Sequence, residues 1–155
     1  MEILEEIEFL KKQENDLQFD KFDSNTALEI GNILAKRAMA ENLPIVIDIS
    51  ICKRSVFRFS ATGATKNNDC WIERKDNTVY LMDMSSLRYG KFLESQNKTL
   101  GKNVFYDPFD YATAGGGFPI RIKGTGLIGV IAVSGLPAVD DHQVIVDAIT
   151  EHLKK

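Results

Sequence analysis

The chain has 155 residues, with 19 basic and 22 acidic side chains, a formal net charge of −3 and 44% hydrophobic residues. That length suits one domain over 1–155 with a two- or three-layer core, and the absence of any basic cluster beyond Lys53-Arg54 and Arg74-Lys75 argues against a nucleic-acid groove. No apolar run reaches the ~18 residues of a membrane span. The acidic start MEILEEIEFLKK does not read as a signal peptide, and Cys52 and Cys70 are too few for a disulfide scaffold. A reduced, cytoplasmic protein is expected.

Ile3, Leu4, Ile7 and Leu10 form the apolar stripe of a first helix within 1–16, with Glu2, Glu5, Glu6 and Glu8 near its positive end. This helix is a candidate oligomerisation element. Leu17 to Phe22 alternates like a strand, and Asp23-Ser24 offers N-caps for a second helix. That helix would bury Ala27, Ile30, Gly31, Leu34, Ala35 and Ala38, and Pro44 closes it. Ile45–Ile51 and Ser55–Ala61 predict two strands joined at Cys52-Lys53-Arg54. Trp71, Ile72, Val79 and Met82 suit a helix within 67–86, although Thr78–Leu81 also reads as a strand. A short helix is expected over 86–93. The last helix has Asp140 and Gln143 spaced as a capping box, with Val144, Ile145, Ala148, Ile149 and Leu153 on one face.

Gly124-Thr125-Gly126-Leu127-Ile128-Gly129 spells G-x-G-x-x-G, a fingerprint that works only between a strand and a helix N-terminus. Pro119–Lys123 supplies the strand. Leu127–Val133, LIGVIAV, has no polar stripe at helical spacing and runs into Ser-Gly-Leu-Pro, so it predicts a buried strand. The glycines then form a hairpin turn, Gly129 serves close packing or a bulge, and no NAD is expected. Hairpins separated by helices imply an α/β (α+β) fold with an antiparallel sheet covered by helices.

Several residues carry chemistry. Gly115-Gly116-Gly117 before Phe118-Pro119 could present amides to an anion, or simply permit tight backbone. Arg74-Lys75 after Trp71 makes a cation-plus-aromatic fork for a planar carboxylate, or a solvated face with Trp71 at a subunit contact. His142, placed in the first turn of the last helix, is a candidate general base, metal or haem ligand, or hydrogen-bond anchor; a capping or interface histidine is the plainer alternative. His152, ten residues on, turns away from it. Cys52 beside Lys53 and Arg54 reads as a small packed residue, and Ser134 as a turn hydroxyl, since no G-x-S-x-G surrounds it. No HExxH, CxxC or carboxylate–histidine pattern marks a metal site.

Asn68-Asp69-Cys70-Trp71-Ile72-Glu73-Arg74-Lys75, Asp110-Tyr111-Ala112, Gly115–Ile120, Gly126–Gly129 and Val133–Pro137 followed by Asp141-His142 together resemble the haem-degrading-domain family of HbpS- and GlcG-like proteins. The match runs from about Phe22 to Leu153 and is similar above all to a branch of cytosolic members with no established reaction. The resemblance implies a profilin-like antiparallel sheet flanked by helices, and assembly through dimers into larger homo-oligomers. It also implies haem or a related tetrapyrrole as a candidate ligand. Ala114 stands where members of that branch often carry His, so no role of that position transfers. The expected function is a homo-oligomeric protein binding a small anionic or tetrapyrrole-like ligand near Arg74, Lys75, Gly115–Phe118 and His142. Trp71, Pro119, Ser134, Gly135 and Asp141 would serve interface or structure. Two other readings stand beside it: an enzyme acting on a small carboxylate-bearing metabolite or degrading haem, with His142 as candidate base, and an assembly or adaptor protein.

Overall fold

The computed structural model describes residues 1–101 and 105–155. The elements run α1 (Ile3–Asp16), α2 (Ser24–Glu41), β1 (Val46–Ile51), β2 (Arg54–Ser60), α3 (Lys66–Met82), α4 (Ser86–Ser95), a 3-10 turn (Pro108–Asp110), β3 (Gly117–Ile122), β4 (Gly126–Ser134) and α5 (Ala138–Leu153). The four strands form one antiparallel sheet in the order β2-β1-β4-β3.

Alternation along the strands sorts the core into two layers. Ile47 and Ile49 of β1, Ile131 and Val133 of β4, and Phe118 and Ile120 of β3 share one face. They pack against Ala27, Ile30 and Leu34 of α2 and Val144, Ile145 and Ile149 of α5. On the other face, Val46, Val130 and Ala132 meet Ile72 and Val79 of α3. Because β4 is covered on both sides, its sequence is a continuous apolar run rather than an alternating one. The expected inner face of α2 is buried in full, and Asp23 caps that helix in a reciprocal box with Thr26. The helix stops at Asn42, in a left-handed conformation (φ 55°), two residues before Pro44.

The G-x-G-x-x-G segment is the β3–β4 hairpin. Gly124 and Gly126 have φ of 78° and 113° in open space, whereas a side chain on Gly129 would run into the Ser50 carbonyl of β1. A helix after the turn would have been needed for the dinucleotide reading, and β4 stands there instead.

Five expectations are corrected. Leu17–Phe22 is not a strand: Phe19 alone pairs with the β3 edge, giving its N–H to the Arg121 carbonyl and accepting from Lys123 N–H. The alternation arose because Phe19 packs edge-on against Phe22 and is itself buried in the core. Asp140 and Gln143 make no capping box, since α5 begins earlier, at Ala138 after Pro137, and Gln143 bonds Asp147. This places His142 in the second turn of α5 rather than the first. Leu153, in the final turn, is exposed. Cys52 is not a packed residue; it is exposed at φ 51° in the β1–β2 turn, where Lys53 has φ 66°. That mirror-image turn matches the twist of the hairpin at the expense of left-handed strain in two non-glycine residues.

α1 docks mainly through polar groups. Leu10 is its buried apolar residue; Glu14, 1% exposed, holds Arg88 of α4 and Arg121 of β3 at 3.2 and 3.1 Å through Oε1. Glu6 pairs with Lys91 at 3.2 Å. Leu4 and Phe9 face outward, 66% and 56% exposed.

Candidate functional site

The sequence motifs converge where α3, the 114–117 segment, the end of β4 and the start of α5 meet. α3 begins with a Thr65–Asn68 capping box, and the Asn68 amide nitrogen then reaches Ser134 Oγ at 3.4 Å. Ser134 therefore ties α3 to β4, rather than satisfying a turn as expected. Two turns on from Asn68, Lys75 points inward. Its ammonium donates to the Val133 carbonyl at 2.8 Å and to Asp141 Oδ2 at 3.1 Å, with both charged side chains at most 4% exposed. Asp141 Oδ1 accepts Leu136 N–H at 2.9 Å, so this carboxylate fixes the turn leading into α5.

Burial governs both partners. It lowers the proton affinity of Lys75 below that of an ordinary lysine and raises the Asp141 carboxyl above the usual carboxylate range, while their mutual attraction opposes each change.

Gly116 makes this geometry fit. It has φ 124°, and a Cβ there would collide with the Val133 carbonyl and lie 2.6 Å from Lys75 Nζ. Its carbonyl accepts Val133 N–H, and Gly117 N–H donates to Ser86 Oγ. Gly115, Gly116 and Gly117 are all buried. Glycine here admits the close approach of the Val133 carbonyl, Lys75 and the start of α5.

A cleft of about 250 Å³ lies over this junction, lined by Asn67, Asn68, Trp71, Lys75, Ser134 and Asp141 among others. Of the predicted site residues, Trp71, Lys75, Ser134, Gly135 and Asp141 line it. Arg74 stands beside it, stacked on Trp71 with its guanidinium carbon 4.1 Å from the ring centre and its Nε bonded to the Tyr111 carbonyl at 3.0 Å. Phe118 and Pro119 belong to β3, with Phe118 fully inside the α2/α5 core.

His142 sits behind the cleft, 3% exposed, with its ring near Phe118 and Nε2 2.6 Å from Gln13 Oε1 of α1. Burial pulls its pKa down to about 4, so the ring is neutral at pH 7. The Gln13 oxygen is an acceptor, so Nε2 carries the proton and Nδ1, buried without a partner, keeps its lone pair. It is a hydrogen-bond anchor for α1. His152 lies elsewhere, beside Phe19 and 3.3 Å from Glu29.

A larger groove, about 620 Å³, separates α2 from α5; Arg37 of α2 pairs across it with Asp147 and along its own helix with Glu41. Sequence reasoning missed a third cleft, between α3 and the β1–β2 hairpin, which contains Asp48 and Asp76. Its signal was present: Asp69, Glu73 and Asp76 recur at helical spacing, and Asp48 interrupts the apolar strand IVIDISI.

The model of the haem-degrading HbpS-like family matches residues 22–150. The chain belongs to the HbpS-like family. A UPF0303 protein of Pseudomonas entomophila is 45% identical to this HbpS-like chain over 149 residues, covering 96% of the chain and 83% of the relative. The crystal structure of Ybr137w superposes with a TM-score of 0.86 at 25% identity, over 96% of this chain and 87% of that one. A PduOC–haem complex has the same fold, with a TM-score of 0.70 at 17% identity over 83% and 93% of the two chains. Both the α+β architecture and the family expected from the motifs are thereby established.

Proposed function

We propose that this HbpS-like chain is a homo-oligomeric binding protein for a small carboxylate- or phosphate-bearing metabolite, held in the cleft between α3 and the start of α5. The observation that carries this reading is Lys75. An ammonium has three N–H donors; Val133 and Asp141 use two, and the third remains for a ligand in the cleft that Lys75 lines. Asn67, Asn68 and Ser134 add neutral hydrogen-bonding groups, and the Trp71–Arg74 stack offers a planar wall. Self-association is supported by Phe109 and Val139, 82% and 60% exposed, and by the outward Leu4 and Phe9 of α1.

Size bears on the ligand. Pockets that enclose a drug-sized molecule measure roughly 300–1,000 Å³. At about 250 Å³ this cleft suits a small metabolite or one acidic arm of a larger one. A whole tetrapyrrole, the second reading, is favoured by the family description and by the haem complex of PduOC. It would need a neighbouring subunit to complete the enclosure, and an iron ligand other than the buried His142. An enzymatic reading with His142 as base is disfavoured, because that ring lies behind the cleft.

Native mass spectrometry of freshly purified protein tests the proposal. The expected result is a multiple of the chain mass with a retained small ligand that is lost in Lys75→Met. A bare single chain would overturn it. Haemin titration separates the two ligands: a saturable Soret shift, unchanged in His142→Ala and reduced in Lys75→Met, would favour the tetrapyrrole.

A further inference from the structure

The cleft between α3 and the β1–β2 hairpin is about 230 Å³ and has a depth order of charge. Deep in it lie Asp48, whose side chain is 5% exposed, and Asp76, whose Oδ1 is buried with no hydrogen-bond partner in the protein. Lys53 and Lys66 are exposed at its rim, along with Glu73 and the partly exposed Asp69. Arg58, 46% exposed, stands across the mouth at 3.5 Å from both Asp48 and Asp69, too far for well-formed hydrogen bonds. Ser55 Oγ donates to Asp48 Oδ2 at 2.8 Å, and Tyr80 OH joins Ser50 Oγ and Lys53 N–H along one wall. The protein thus walls in two carboxylates and leaves an acceptor oxygen of one unbonded. Buried acceptors without a partner are rare and costly, so a donor entering the cleft would satisfy Asp76 Oδ1.

We propose that this cleft is a second binding site, for a small organic cation whose N–H donors reach Asp76 and Asp48. A guanidinium or primary ammonium fits the requirement, because it brings the charge and several donors in one compact group. A metal ion fits less well. Among the described residues no group of three or more His, Cys, Asp or Glu side chains is placed to hold one.

The groups around Asp76 also predict how binding depends on pH. Burial pushes its carboxyl up to about 8; Asp48 on β1 and Glu73 on α3 push the same way, and Arg58 on β2 opposes. Asp69, Lys53 and Lys66 complete the charged groups of the cleft. At neutral pH Asp76 is protonated, so a bound cation must displace that proton. Affinity therefore rises by about tenfold between about pH 7 and pH 9, with one proton released per cation bound at the lower pH.

The experiment is isothermal titration of the full chain with methylguanidinium, in buffers of different ionisation heat. Tetramethylammonium, a cation without N–H donors, and acetate are the controls. Methylguanidinium is expected to bind with proton release, and the controls not to bind. Asp76→Asn, an isostere of the protonated acid that keeps the fold, is expected to weaken binding at least tenfold and abolish the proton release. Carboxyl carbon NMR supplies a second readout: the Asp76 titration midpoint should fall when methylguanidinium is added. Equal binding in Asp76→Asn, binding of tetramethylammonium as strong as that of methylguanidinium, or no binding by any probe would each overturn the proposal.

Discussion

Replacing Lys75 by Met tests whether the α3–β4–α5 junction depends on a buried ion pair. Met fills nearly the same space, so the change removes charge and hydrogen bonds with little loss of packing. It strips Asp141 of the ammonium at 3.1 Å and leaves the Val133 carbonyl without its 2.8 Å donor. Asp141, 2% exposed, keeps only the Leu136 and neighbouring amides. Removing one member of a buried pair costs about 3–5 kcal/mol, because the other charge is left uncompensated. The lower end applies, since Asp141 can take up a proton: burial has already raised its carboxyl in the intact pair. A loss of about 3 kcal/mol corresponds to a fall in Tm of roughly 6–12 °C for a chain of this size. Urea unfolding of Lys75→Met, Asp141→Asn and the double variant gives the free energies directly. The double variant should cost less than the sum of the singles by about 1–3 kcal/mol, with the m-value unchanged. Additive losses, or a loss below about 1 kcal/mol in Lys75→Met, would refute the claim that the pair acts as one buried unit.

Two further outcomes follow from groups near the same junction. His142 binds its proton less tightly in the folded chain, at about 4, than the ordinary value of 6.5, so acid favours the unfolded state. Its contribution is intact above about pH 6.5 and is lost as the pH falls towards 4, amounting to about 3 kcal/mol; urea midpoints across that window should show a shallower slope in His142→Gln, and an unchanged slope would contradict the assignment. Gly116→Ala, at φ 124° and facing Val133 and Lys75, should lower stability by more than about 2 kcal/mol, whereas Gly124→Ala, at φ 78° in open space, should cost about 1 kcal/mol. Thermal melts that rank the two alike would show that close approach at Gly116 is not the deciding factor.

The parts of the fold that were legible in the sequence are those where a single period dominates. The inner face of α2, the two hairpins and the apolar run of β4 each announce themselves by spacing alone. Leu17–Phe22 misled because Phe19 and Phe22 pack against each other and look like alternation, although only Phe19 pairs with a strand. The Asp140–Gln143 spacing misled because Pro137 starts the helix before Asp140 can cap it. At the site, sequence grouped Arg74, Lys75 and His142 by chemistry, but burial sorts them differently. Lys75 turns inward to the cleft, Arg74 lies across Trp71, and His142 is one layer behind. Which of two adjacent cations is buried depends on the helix phase against the sheet. The carboxylate it pairs with is 66 residues away, beyond any local pattern.

The attachment of α1 has a consequence for how the molecule opens. Its link to the rest of the fold runs through the Glu14 fork to Arg88 and Arg121, the Gln13–His142 bond and the Glu6–Lys91 pair, with Leu10 as its buried apolar residue. A helix held this way forms a cooperative unit separate from the sheet, and its amides should exchange with solvent through openings smaller than global unfolding. Salt screens the partly exposed Glu6–Lys91 pair and acid works against the neutral His142 ring that Gln13 holds, while the apolar layers of β1 and β4 stay intact. Release of α1 would uncover His142 and the lower wall of Phe118 while the sheet remains folded.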